Sequence, residues 1–117
     1  MTMAGDQPGP VLNPTALPDG LVFQRRTVDF TDETLPAALR GDHSTKPGTW
    51  GLIRILAGSL RYDITDDRRA RHSIVLTPGT PPGIVEPTIL HLVAPIGPVR
   101  FHVEFLREPG DTISTGD

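Results

Sequence analysis

Two histidines and a glutamate are the residues of this chain whose types could hold a metal ion. His43 lies in a polar stretch directly before an apolar run, and His91 opens a second apolar run after a proline-containing turn. Glu104 lies in the longest alternating run, residues 99–106. Two imidazoles and a carboxylate on neighbouring strands can share one divalent metal, even when they are far apart in sequence. We therefore take His43, His91 and Glu104 as candidate ligands, with Glu86, at a predicted strand end, as a weaker candidate.

Each of these residues also has a purely structural interpretation. His43 could be a histidine of a surface loop, and a core hydrogen bond would satisfy a half-buried His91 as well as a metal would. In the last run His102 and Glu104 share one face of a strand, opposite to a face that carries Phe101 and its alternate neighbours. Alternation shows which residues share a face, but it does not decide which face is the interior of a curled sheet. His72, beside a basic run, is expected to be exposed.

The composition indicates a single all-β domain. The chain has 117 residues, with 12 glycines and 13 prolines but no repeat. Many turns that join short strands, with almost no helix, are typical of a β-sandwich or barrel. Residues 1–19 hold four prolines and are predicted to be extended and partly disordered, residues 20–107 to form the domain, and residues 108–117 to be a tail.

The pattern of apolar and turn residues predicts seven short strands, one helical turn and one core. Strands are predicted near residues 21–28, 50–56, 60–64, 73–76, 83–85, 91–93 and 99–106, the sixth of them stopped by Pro95. Thr34 is predicted to cap one helical turn that Gly41 ends. One core is expected from Trp50, Leu52 or Ile53, Ile55, Leu60, Tyr62, Val75, Phe101, Val103 and Phe105.

Charge and cysteine content exclude several functional classes. The formal net charge is −3 and there is no cysteine. Disulfides and cysteine-based zinc sites are excluded, and no organised basic face favours nucleic acid. No signal peptide or membrane-spanning run is evident, so a cytoplasmic protein without membrane or nucleic-acid partners is expected.

Four short segments occur in an order that resembles a known family. They are residues 43–51 (His-Ser-Thr-Lys-Pro-Gly-Thr-Trp-Gly), 56–62 (Leu-Ala-Gly-Ser-Leu-Arg-Tyr), 87–91 (Pro-Thr-Ile-Leu-His) and 101–105 (Phe-His-Val-Glu-Phe). Together they resemble the small cupin-like family related to the N-terminal domain of tellurite-resistance protein B, over about residues 18–107.

The resemblance implies a cupin-like jelly-roll barrel with a polar pocket. Cupins hold a metal with histidines from two motifs and a carboxylate. His43 matches the first histidine of the first motif, Thr45 stands where its second histidine would be, and the second motif keeps His91. Glu104 is the family-like carboxylate, with Glu86 as a substitute.

Three functions follow as hypotheses. The first is a metal-binding protein of a tellurite or oxyanion stress response, with Zn²⁺ expected first and Fe, Ni or Mn as the other choices. The second is an enzyme that uses this metal on a small molecule. The third is a non-catalytic binding or oligomerisation module in which the histidines are core residues. A small molecule or an oxyanion, and a second copy of the chain in a homodimer, are the partners considered.

Overall fold

The computed structural model describes residues 11–109 as an antiparallel β structure with one short helical turn. The strands are β1 (Val22–Arg26), β2 (Phe30–Thr31), β3 (Thr49–Ile64), β4 (His72–Leu76), β5 (Gly83–Val85) and β6 (His91–Arg107), and a 3₁₀ turn spans Ala37–Arg40. The all-β prediction with at most one short helical turn is confirmed. Within the described part of the chain, no helix is long and apolar enough to cross a membrane.

The long antiparallel ladder between β3 and β6 organises the sheet. It runs from the pair Thr49–Arg107 to the pair Ile64–His91. Strands β1 and β2 pair with the other edge of β6, whereas β4 and β5 pair with the other edge of β3. Since these outer strands do not pair with one another, the sheet is not closed within residues 11–109.

The ladder folds back on itself instead of running straight. The hydroxyl of Tyr62 donates a hydrogen bond of 2.7 Å to the carbonyl oxygen of Ile84, yet Ile84 pairs with Leu52, ten residues earlier in β3. Ten residues of straight strand would span about 33 Å. The bend lies near Gly58, where the register with β6 is irregular on both sides. The first half of β3 therefore faces the second half across an apolar interior.

That interior is the core of the domain. It consists of side chains from both halves of the ladder and from the segments that cover them: Leu35, Ile53, Leu60, Tyr62, Ile64, Leu76, Val85, Ile89, Val93, Val99 and Phe101. Ile55 and Val103 pack against it as predicted. Val75 does not belong to the core, because β4 is an edge strand and its side chain is 45% exposed; the next residue, Leu76, is buried in its place.

Two predicted strand breaks are bends inside continuous strands. The segment around Gly58 and the one at Pro95 were both expected to end strands, but β3 and β6 continue through them. The predicted cap is also wrong, because the hydroxyl of Thr34 accepts a hydrogen bond from the amide of Thr31 and Pro36 precedes the 3₁₀ turn without a side-chain cap.

The described residues before β1 contact the rest of the domain. The amide of Ala70 donates to the carbonyl of Val11 at 2.8 Å, and Asn13 donates its side-chain amide to Ala70. The predictions for residues 1–10 and 110–117 lie outside the described residues, and the division into residues 1–19, 20–107 and 108–117 stays a prediction.

Candidate functional site

The structure places His43 and His91 side by side. Their backbones form an antiparallel bridge in which each amide donates to the other's carbonyl at 2.9 Å. The centroids of the two imidazole rings lie 4.1 Å apart, and the ring of Tyr62 meets His91 edge-on. Two residues that are 48 positions apart in the sequence thus form one pair.

Both imidazoles are oriented by backbone carbonyls. Nδ1 of His43 lies 2.9 Å from the carbonyl oxygen of Gly41, and Nδ1 of His91 lies 3.0 Å from that of Ile89. His91 is almost fully buried. Burial lowers the pKa of His91 to about 4, with a smaller contribution from the neighbouring His43, against the opposing hydrogen bond to Ile89. His91 is therefore neutral at physiological pH.

The histidine pair lines a cavity of about 450 Å³ between the two halves of the ladder. Its apolar wall includes Phe30, Phe101 and Val103. Three basic side chains, Arg25, Lys46 and Arg107, also line it, and no lining residue is an aspartate or a glutamate. The cavity thus combines an apolar wall with positive charge, although the whole chain carries a net charge of −3.

These three basic side chains have no carboxylate partner among residues 11–109, unlike four arginines elsewhere in the domain. Arg54, Arg61, Arg68 and Arg69 each form an ion pair with a carboxylate. None of the ion pairs among residues 11–109 involves a basic residue of the cavity. The guanidinium of Arg25 stacks on the ring of Phe105 at 4.6 Å from its centroid. Nε of Arg107 is buried without a hydrogen-bond partner among the described residues.

Glu104 lies on the other face of β6. Phe101, Val103, Phe105 and Arg107 line the cavity, so the alternate residues of this strand point away from it. Glu104 accepts hydrogen bonds from Nε of Arg54 at 2.9 Å and from Nε2 of His102 at 3.1 Å. Burial alone would raise the pKa of Glu104, but these two bonds hold it below its ordinary value. The structure therefore does not bring Glu104 to the histidine pair.

Glu86 is also engaged elsewhere. It forms an ion pair with Arg69 through both of its carboxylate oxygens, and it does not line the cavity. The basic run that contains Arg69 is consequently tied to acidic partners, since Arg68 binds Asp66 in the same way. His72 is exposed on β4, as expected.

Sequence reasoning missed the basic residues of the cavity, although one signal for them was present. Arg107 continues the alternation of Phe101, Val103 and Phe105, so it shares their face of the strand. Arg25 pairs with Phe105 in the register between β1 and β6. Lys46 follows His43 in the segment that leads into β3, and no periodicity in the sequence marks it.

Comparison with known proteins decides the family. Residues 25–103 match the family model of the TehB-like domain. The chain belongs to the TehB-like family. The relation to tellurite-resistance protein B that the four ordered segments predicted is thereby confirmed.

Curated relatives and solved structures agree with this assignment. Two Haemophilus influenzae proteins named "Probable S-adenosyl-L-methionine-dependent methyltransferase TehB" are 31% and 30% identical to the chain over 74 residues. The match covers 62% of this chain but only 26% of either relative. The crystal structure of TehB from Haemophilus influenzae matches with a TM-score of 0.73 and 24% identity, over 83% of this chain and 35% of that one. An Escherichia coli K12 structure matches over 82% of this chain and 99% of its own length, with a TM-score of 0.71 and 20% identity.

The predicted metal cofactor is wrong. No group of three or more histidine, aspartate, glutamate or cysteine side chains within residues 11–109 could hold a metal ion, because Glu104 and Glu86 lie apart from the histidine pair. The cofactor in the names of the curated relatives is S-adenosyl-L-methionine. Neither Zn²⁺ nor Fe, Ni or Mn is therefore assigned to this site.

The described residues do not fit S-adenosyl-L-methionine either. Open α/β sheets bind adenosine-containing cofactors beyond the carboxyl ends of parallel strands, whereas β1 to β6 pair only in antiparallel fashion within residues 11–109. Three basic side chains and no carboxylate line the cavity, a poor environment for a positively charged sulfonium. We therefore assign no step of methyl transfer to these residues.

Proposed function

We propose that this TehB-like domain is a non-catalytic module that binds a small anion in the cavity beside His43 and His91. The observation that supports this function is the charge of the cavity wall, on which Arg25, Lys46 and Arg107 have no carboxylate among them. Concave surfaces of one sign with low-dielectric walls focus the field and concentrate counter-ions. An oxyanion as ligand agrees with the tellurite-resistance relation of the family.

The geometry also favours Arg107 as an anchor for the anion. A buried guanidinium nitrogen without a partner carries a desolvation cost, which a ligand oxygen would remove. Arg25 is held in place on Phe105, so its charged group loses little freedom when an anion binds. A guanidinium presents paired donors that match the oxygens of a carboxylate or an oxyanion.

Isothermal titration calorimetry in a low-chloride buffer tests this function, with tellurite, phosphate and sulfate as probes. Replacing Arg107 by glutamine removes the charge and retains much of the length of the side chain. A charge-assisted hydrogen bond contributes about 1.5–3 kcal/mol, so Arg107→Gln is expected to weaken anion binding by about 10- to 100-fold. Arg26→Gln is the matched control, because Arg26 neighbours Arg25 on β1 but does not line the cavity.

Two outcomes would contradict the proposal. One is a wild-type protein that binds none of the three anions at millimolar concentration. The other is equal loss of affinity in Arg107→Gln and Arg26→Gln, which would indicate a diffuse effect of net charge instead of a site. The absence of nucleic-acid partners and the homodimer stay predictions from the sequence.

A further inference from the structure

The two imidazoles of the cavity are hydrogen-bond acceptors towards a ligand. A carbonyl oxygen can only accept, so the contacts of His43 with Gly41 and of His91 with Ile89 place a hydrogen on Nδ1 of each ring. A neutral imidazole with a hydrogen on Nδ1 keeps a lone pair on Nε2. No hydrogen bond from residues 11–109 satisfies either Nε2 atom, and both rings line the cavity.

Burial keeps one of these two acceptors, His91, uncharged. His91 is buried against Tyr62 and the core, and its pKa of about 4 leaves it neutral near pH 7. The ring of His43 lies 4.1 Å from the ring of His91, and both rings line the cavity. The cavity therefore presents three basic side chains and the neutral acceptor His91 to a ligand that enters it.

This combination selects the chemistry of the ligand. A fully deprotonated anion would satisfy Arg107 and Arg25 but would turn oxygen lone pairs towards the lone pairs of the imidazoles. An ammonium group would satisfy the imidazoles but would be repelled by the three basic side chains. We propose, on the basis of the anion-binding function above, that the ligand is an anion that also carries an O–H group, such as a hydrogen oxyanion, with the O–H donated to His43 or His91.

A pair of matched anions tests the requirement for the O–H group. Methylphosphonate and methanesulfonate are both tetrahedral, carry one methyl group and are mainly monoanions at about pH 7, but only the phosphonate keeps an O–H. An unsatisfied polar group costs about 1–3 kcal/mol, so methylphosphonate is expected to bind about 10- to 100-fold more tightly to the wild-type protein.

A variant then assigns this preference to the imidazoles. His43→Phe keeps a ring against His91 but removes one acceptor, so the advantage of methylphosphonate should fall at least about threefold while the affinity for methanesulfonate does not decrease. His72→Phe is the control, because His72 is exposed on β4 outside the cavity. Circular dichroism and urea unfolding verify that each variant is folded. If His43→Phe does not fold, the comparison of the two anions on the wild-type protein decides the question.

The outcomes separate this inference from the proposed function. Equal affinities of the wild-type protein for the two anions, both lost in Arg107→Gln, would refute the O–H requirement and leave anion binding in place. A preference for methylphosphonate that survives unchanged in a folded His43→Phe would also refute the assignment to His43. If neither anion binds, the anion-binding function itself fails, and the inference fails with it.

Discussion

Replacing Gly58 by alanine should destabilise the domain more than any comparable change at a glycine of a loop. Gly58 has a φ angle of +81° and lies where β3 bends. A Cβ atom at this position would lie 2.9 Å from Cα of Val99 and closer still to the carbonyl oxygen of Pro98. Both contacts are with backbone atoms of β6, so relief requires that the two paired strands separate.

The expected cost has two parts. A left-handed conformation costs a residue with a Cβ about 1–2 kcal/mol, and forcing an extra carbon into a packed site costs about 1–3 kcal/mol more. Alanine also reduces the conformational entropy of the unfolded chain, which offsets about 0.4–1 kcal/mol of this loss of stability. Gly58→Ala should therefore lower the free energy of unfolding by about 2–4 kcal/mol, a large part of the 5–15 kcal/mol typical of a domain.

Gly97→Ala is the matched control. Gly97 also has a positive φ, +67°, but a Cβ built there would meet no described atom within 4 Å. This variant should lose about 1 kcal/mol from backbone strain alone. Urea unfolding followed by circular dichroism measures both, and the midpoint of Gly58→Ala should fall about 1 M below that of Gly97→Ala. Equal midpoints would refute the tight bend at Gly58.

Two further predictions concern the core and the buried histidine. Phe101 is 1% exposed, so Phe101→Ala should cost about 3–5 kcal/mol in urea unfolding; a loss below 1 kcal/mol would exclude Phe101 from the core. Because burial lowers the pKa of His91 to about 4, the unfolded state binds a proton at higher pH than the folded state does. Stability should therefore fall by up to about 3 kcal/mol as the pH drops from about 6.5 to about 4. His91→Phe should remove most of that slope and His72→Phe should not; the same slope in both variants would contradict a buried, neutral His91.

The sequence predicted the fold class because its signals were local. Strand periodicity and turn residues identified an all-β domain, and alternation on β6 correctly separated Phe101 and Val103 from His102 and Glu104. Alternation could not tell which face was the interior. Glu104 was predicted to be a metal ligand beside the histidine pair. It lies instead on the opposite face of β6, where it forms an ion pair with Arg54. Nor could local signals show that β3 and β6 continue through Gly58 and Pro95, because a bend within a ladder and a turn between strands have the same composition.

The bend of the β3–β6 ladder near Gly58, which the sequence did not predict, also creates the cavity. His91 and Arg107 stand at the two ends of β6, and 16 residues of straight strand would separate them by about 53 Å. Both nevertheless line one cavity, because the ladder folds over near Gly58 and returns the end of β6 to the level of its beginning. Any change that opens the bend without unfolding the protein should therefore move the arginine relative to the imidazoles. If Gly58→Ala remains folded, its affinity for anions should fall by more than that of Gly97→Ala. The stability of the fold and the geometry of the cavity both depend on the close contact of Gly58 with the backbone of Pro98 and Val99.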